Sequence, residues 1–190
     1  MSTTIYDYSM PVRITFPDGA HRDYQQAPTG LQIAEDISGS LLRKALAIRV
    51  DGELRDLAGV VESDAEIEIV TRDHDEGLEL LRHDAAHVMA EAVKELYPET
   101  QVTIGPAIED GFYYDFARPD PFTPEDLEQI EARMRDIVDR GEPIVREVWE
   151  RDRAIDYFRG IREVYKAEII ESIDTGETLT VYRQGAFVDL

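Results

Sequence analysis

Leu81-Arg82-His83-Asp84-Ala85-Ala86-His87 is the stretch on which the reading of this 190-residue chain turns. Upstream of it apolar residues alternate; here they begin to recur at helical steps. On a helix, positions i and i+4 lie on one face, one turn apart. His83 and His87 therefore present two imidazoles in the same direction. Leu81, Ala85, Val88, Ala92 and Leu96 recur every three or four residues and predict an inward stripe roughly opposite the histidines. Ala86, Ala90 and the stem of Lys94 line the histidine side. The helix is expected from about residue 75 to 97, with Asp73 or Asp75 as its cap and Pro98 as its stop.

Spacing alone leaves three readings of this pair: solvated side chains, half of a metal site, or an acid–base pair. Zinc takes three or four protein ligands, and the chain has no cysteine. His21 and His74 are the only other histidines, and neither has a partner at ligand spacing. No metal ligands are therefore assigned.

Going back along the chain, Val12, Ile14 and Phe16 alternate with Arg13 and Thr15, the pattern of a half-buried strand. Pro17-Asp18-Gly19 is a turn, and residues 20–26 return as a second strand. Thr29 can cap a helix from about Leu31, with Gly39 as its end. Leu46 to Val50 run into Asp51-Gly52, a hairpin signal, and Ile67 and Ile69 belong to a last strand. This order predicts a small β-grasp domain over residues 10–71. It holds no phosphate loop and no nucleophile with a base. His21 is expected on the surface, and His74 in a solvated linker. The polar run Thr71 to Asp75 places a junction near 71–76, and a second domain over 73–190.

Downstream, residues 101–116 turn to strands. Asp110-Gly111 is expected as a two-residue hairpin turn, and Gly105-Pro106 as a bulge or edge, because proline has no N–H to donate. Phe112, Tyr113 and Tyr114 cannot all share one face. Thr123-Pro124-Glu125-Asp126 opens a helix with Leu127, Ile130, Met134, Ile137 and Val138 inward and Gly141 as its stop. A strand over 144–149, helices near 151–158 and 165–170, and strands at 178–183 and 186–190 follow. Strands and helices mix without a regular βαβ rhythm, so the class is α+β.

The hydrophobic share of 43% suffices for packed cores. No apolar run approaches the ~20 residues of a membrane span. Met1 to Met10 lacks the basic-then-apolar pattern of a secretory signal. The simplest compartment is the cytoplasm. Net charge is −21. Residues 1–72 carry 7 Lys+Arg against 12 Asp+Glu, and residues 73–190 carry 13 against 29. Charge of this sign opposes a broad nucleic-acid footprint.

After the histidines comes Ile104-Gly105-Pro106-Ala107-Ile108-Glu109-Asp110-Gly111-Phe112-Tyr113-Tyr114-Asp115-Phe116. With His83-Asp84-Ala85-Ala86-His87, this resembles the editing domain of the threonyl-transfer-RNA synthetase family, related to that of the alanyl enzymes. The family pattern continues with Tyr-Lys and then Val-Asp-x-Cys-x-x-x-His. Tyr165-Lys166 and Val188-Asp189-Leu190 match in order, and the sequence ends at Leu190 where the cysteine would follow. The editing domain is on this basis expected to be incomplete at its C-terminal side. Asp36-Ile37, Asp56-Leu57 and Asp64 to Ile69 resemble the TGS domain at the front of the same enzymes.

The resemblance implies an editing reaction, hydrolysis of serine wrongly esterified to threonine transfer RNA. One methyl group supplies only ~1–3 kcal/mol of selectivity, so a second sieve is needed. It implies His83, His87, Lys166 and Asp189 as catalytic residues and Tyr114 as a substrate-binding residue. On residue type alone, Tyr114 reads equally as a cross-strand packing residue, Lys166 as a surface lysine and Asp189 as an ordinary carboxylate. The acylated end of tRNA-Thr is the implied partner. No cofactor is implied for these 190 residues; ATP, Mg and zinc are implied for the full enzyme, which would be a homodimer, with this stretch alone a monomer. No nucleotide-binding or aminoacylation motif is present. The alternative is a non-catalytic RNA- or protein-binding module.

Overall fold

The computed structural model describes residues 11–190; Met10, the first residue of the expected first domain, and the tail before it lie outside the described residues. The chain divides into two compact units, residues 1–80 and 81–190, so the division falls within the long helix that carries the histidines.

The first unit builds a five-stranded sheet from β1 (Val12–Thr15), β2 (His21–Tyr24), β3 (Ala45–Val50), β4 (Glu53–Arg55) and β5 (Ala65–Thr71). Their order is β2-β1-β5-β3-β4, with β1 and β5 parallel and the remaining pairs antiparallel. Alternation put Val12 and Ile14 inward, and both are buried in one core with Ile33, Ala34, Ile48, Val50, Ile67 and Ile69. Helix α1 (Gly30–Ile37) starts at Thr29, whose hydroxyl accepts from the N–H of Gln32 while the Gln32 side chain accepts from the Thr29 N–H. That reciprocal cap satisfies two orphan donors. Gly39 does not end the helical region. Ser38 turns the chain in extended geometry and caps a short second helix, α2 (Gly39–Leu42). The sequence signal missed here was the serine.

Helix α3 (Asp75–Leu96) follows β5 after a turn that His74 helps to hold. The His74 ring Nδ1 lies 3.0 Å from the Thr71 N–H and its backbone N–H donates to the Thr71 carbonyl. His74 is thus a turn residue rather than a solvated linker. Gly77 fits there because a Cβ would sit about 2.0 Å from the Thr71 carbonyl oxygen.

In the second unit α3 is buried on more sides than its periodicity suggested. Ala86, His87, Val88, Ala90, Glu91, Ala92 and Val93 are all buried, while Leu81 is exposed. The histidine side is therefore an interior face, not the polar side of an amphipathic helix. Val88, Ala92 and Val93 pack with Ile130 and Ile137 of α4 (Pro124–Arg140). Helix α4 starts with the Thr123–Asp126 capping box and ends at Gly141, whose φ of +64° suits glycine. Of its expected inward stripe, Ile130 and Ile137 are buried, while Leu127 and Val138 on its other edge are exposed.

Two short ribbons precede α4: β6 (Gln101–Val102) with β9 (Phe116–Ala117), and β7 (Ala107–Ile108) with β8 (Gly111–Phe112). Ile108 pairs with Gly111, so the turn residues are Glu109-Asp110 and the glycine begins the return strand. The hairpin is shifted by one residue from the Asp-Gly expectation.

After α4, β10 (Ile144–Val148) pairs with β11 (Thr180–Gln184), and β11 pairs with β12 (Phe187–Asp189). Between β10 and β11 run α5 (Arg151–Gly160) and α6 (Val164–Ser172). Val181 and Val188 join Phe158, Ala167 and Ile170 in one core. Successive strand side chains alternate faces, so Tyr182 and Asp189 project the other way. Among the described residues the mixture of a β-grasp sheet with six helices and separate small sheets is α+β, as expected. Among the described residues no helix is long and apolar enough to cross a membrane.

Candidate functional site

Five residues from four elements or loops of the second unit converge: His83 and His87 from α3, Tyr114 from the segment before β9, Lys166 from α6 and Asp189 from β12. They span more than a hundred positions of sequence. Asp189 is the hub. Its Oδ2 lies 2.7 Å from His87 Nδ1 and accepts from the Tyr114 hydroxyl at 2.8 Å. Its Oδ1 accepts from Lys166 Nζ, and also from the Leu190 N–H at 2.8 Å. Lys166 Nζ donates in addition to the Tyr114 hydroxyl at 3.0 Å and to the Thr103 carbonyl at 3.3 Å. The three ammonium protons thus have three acceptors. Lys166 and Asp189 are 1% and 0% exposed.

A buried ion pair of this kind is tolerated only when its remaining donors and acceptors are satisfied. That condition is met here. Burial alone would push the Asp189 carboxyl up, but the Lys166 charge and the His87 hydrogen bond outweigh it and hold it well below the usual carboxylate range. Burial, reinforced by the Asp189 charge, pushes the Tyr114 hydroxyl far above its ordinary value, so it remains a donor.

An ionised Asp189 can only accept, so His87 carries its proton on Nδ1. A neutral His87 then has a lone pair on Nε2. His83 Nε2 lies 3.0 Å away, and in this pairing it donates. The lone pair of a neutral His83 is consequently on Nδ1. Asp189, His87 and His83 form a directional chain in which each group fixes the tautomer of the next. Burial, and next the neighbouring His87, push the His83 pKa below its ordinary value, which favours the neutral ring at neutral pH. Unlike His87, His83 is only half-buried. This arrangement can present a neutral imidazole base, with its orientation set from inside.

Sequence reasoning named all five residues but missed three that shape their surroundings. Tyr182 packs its ring 4.8 Å from both imidazoles. Thr103 supplies a carbonyl to Lys166. Gly105 leaves room for Tyr114: a Cβ there would stand about 2.1 Å from the tyrosine ring. Gly105-Pro106 lies outside any strand, neither bulge nor edge, and Gly105 stands close against the Tyr114 ring. Tyr113, its neighbour, is exposed. His21, as expected, is exposed. Two surface cavities of about 460 and 520 Å³ are lined by residues of the first unit. Among the described residues no group of three or more His, Asp or Glu stands where it could hold a metal ion.

Residues 12–71 match the TGS domain family. Over nearly its whole length the chain is similar to threonine–tRNA ligases. It is 60% identical over 179 residues to that of Parvibaculum lavamentivorans, covering 94% of this chain and 28% of the relative. It is 60% identical to that of Rhodospirillum rubrum with the same coverage, and 54% identical over 182 residues to that of Agrobacterium fabrum, covering 96% and 27%. The chain thus spans a little over a quarter of the length of these relatives, and it fits the N-terminal part of an aminoacyl-tRNA synthetase of the threonyl type.

Proposed function

We propose that the second unit hydrolyses serine wrongly esterified to tRNA-Thr, within a cytoplasmic, homodimeric threonyl-tRNA synthetase whose other parts attach threonine with ATP and Mg. The first unit, which carries the TGS domain, has no constellation of catalytic groups among its described residues and serves as a binding or spacer module. A zinc ion in such an enzyme would be held elsewhere, since the described residues offer no ligand set for it.

The observation that carries this reading is the chain from Lys166 through Asp189 and His87 to His83. Ester hydrolysis needs a water activated by a base and stabilisation of the charge that develops on the carbonyl oxygen. His83 Nδ1 is the free lone pair at the partly accessible end, and it takes the proton from water. Ionised Asp189, through His87, stabilises the positive charge that His83 then acquires. Lys166 and Asp189, with no unused donor and no exposure between them, act here as positioning residues. Tyr114 completes their hydrogen bonds, and its ring, laid against Gly105, forms part of the wall that limits the size of the acyl group.

The strong acidity fits recognition of only the acylated end of the RNA by this region, with the phosphate contacts elsewhere. The test is deacylation of seryl-tRNA-Thr by the full-length protein carrying this sequence. His83→Ala should slow it by ~10²-fold or more, the usual scale for losing a proton-transfer group, while threonyl-tRNA-Thr is largely spared. Undiminished hydrolysis in His83→Ala would overturn the role given to His83.

A further inference from the structure

Among the described residues the His83 ring has a single hydrogen bond, the one to His87. His87 is held at both nitrogens, by Asp189 and by His83. Torsion about the bond to an imidazole is soft and broadly populated, so one hydrogen bond does not fix the ring at the accessible end of the chain. Tyr182 supplies what is missing. It stands edge-on to His83, with centroids 4.8 Å apart and planes at 75°. Its tilt to His87 is 33°, at the same centroid distance. The sheet register puts it there: Tyr182 pairs directly with Asp189 across β11 and β12. Residues directly opposite in a sheet share a face, so the ring and the carboxylate project together onto the histidines.

We propose that Tyr182 is a positioning residue of the site, its flat ring clamping the His83 and His87 imidazoles in the perpendicular arrangement that directs His83 Nδ1 outward. The ring does this rather than the hydroxyl, which has no part in the hydrogen bonds of the chain described above. By covering one side of His83, the ring also contributes to the burial that lowers its pKa. The titratable groups facing His83 are His87 on its own helix, Asp189 on β12 and Tyr182 itself on β11. The proposal draws its significance from the editing reading, but its test needs no substrate, so the two can fail separately.

The measurement is an NMR pH titration of the His83 ring protons in the 190-residue chain, assigned by their loss in His83→Gln. Tyr182→Phe should leave the midpoint unchanged. Tyr182→Leu and Tyr182→Met, which keep apolar bulk on the strand but remove the flat ring, should raise it by ~0.5 pH unit or more as water reaches the imidazole. A purely structural tyrosine would lower stability in these variants while leaving the His83 midpoint of the folded protein where it was, and that result overturns the proposal. So does a Tyr182→Phe midpoint that follows the Leu and Met variants, since it would assign the effect to the hydroxyl. If both Leu and Met variants lost their folded spectrum, Tyr182 would be a determinant of the fold instead, and the proposal would likewise fail.

Discussion

Two ion pairs, one in each unit, show how differently the same chemistry can be used. Arg13 and Asp23 face each other across β1 and β2, 2.7 Å apart, with both side chains about half exposed. Their register follows from the turn over residues 16–20, which brings Thr15 opposite His21. Lys166 and Asp189 lie on α6 and β12, wholly buried, and every polar atom of the pair is engaged. In the first case water competes for both charges and salt screens them. In the second, removing either partner leaves an uncompensated charge in the interior. The exposed pair decorates a sheet that hydrophobic alternation already specifies. The buried pair holds together parts of the chain that no local pattern connects.

The largest expected effect breaks the buried side of this contrast. Lys166→Met should destabilise the second unit by ~3–5 kcal/mol, because ionised Asp189 is then buried without its cation. The double variant Lys166→Met with Asp189→Leu should recover much of that loss. Denaturant unfolding measures both; a single variant as stable as the parent would mean that the pair is not buried in solution.

A second buried carboxylate in the same unit sharpens the comparison, because it lacks such a partner. Glu91, one helical turn beyond His87, is buried with Oε2 unpaired. Arg140 stands 3.6 Å from it but is committed to Glu95 at 2.6 and 2.9 Å. Burial, and then the charge of Glu95, push the Glu91 pKa up to about 7, with Glu142 adding to the effect and Arg140 opposing it. Glu95 is held down at about 2, chiefly by its Arg140 hydrogen bonds. For Glu91 the folded state binds the proton more tightly than the unfolded state. Its stabilising contribution is therefore fully present below the unfolded pKa near 4.5 and is lost as pH rises to about 7. The expected loss is about 3 kcal/mol over that window. In Glu91→Gln this part of the pH dependence should vanish; a parent whose stability is flat from pH 4.5 to 7 and unaltered in the variant would contradict it.

A smaller effect is expected from the helix caps, which belong to the locally encoded part of both units. Thr123→Ala removes the hydroxyl that accepts from the Asp126 N–H and should cost ~1 kcal/mol. Thr29→Ala should behave alike in the first unit. The smallest effect closes the series: Arg13→Ala should leave the unfolding midpoint unchanged at high salt, where a shift as large as that of Lys166→Met would erase the contrast.

Much of the framework was legible because its signals are local. The Thr29 and Thr123 caps, the strand alternation of Val12 and Ile14, the Asp51-Gly52 hairpin and the Gly141 stop each depend on residues within one or two turns. Errors arose where a local signal had a close competitor. Ser38 outweighed Gly39, the return strand took Gly111 from the turn, and His74 used its ring to brace Thr71. The histidine side of α3 stayed open among three readings for a different reason. Periodicity reports which residues are apolar, but His87 is buried on its side of the helix, where Asp189 supplies it with a hydrogen-bond partner.

By itself, the sequence determined the α+β class, the β-grasp order of the first unit, the common direction of His83 and His87, and, through family resemblance, the five residues to watch. Only the tertiary structure decided that Asp189 stands between Lys166 and His87, that Lys166 has no donor to spare, that Gly105 lies under Tyr114, and that Tyr182 closes over the imidazoles. The physical reason is the range of the interactions. Helix and turn preferences are settled over a few residues, whereas the partner of a buried charge is set by strand register and helix packing across the whole unit. Tyr182 and Asp189 share a face because β11 and β12 pair in one register, and a slip of one residue would have turned one of them away.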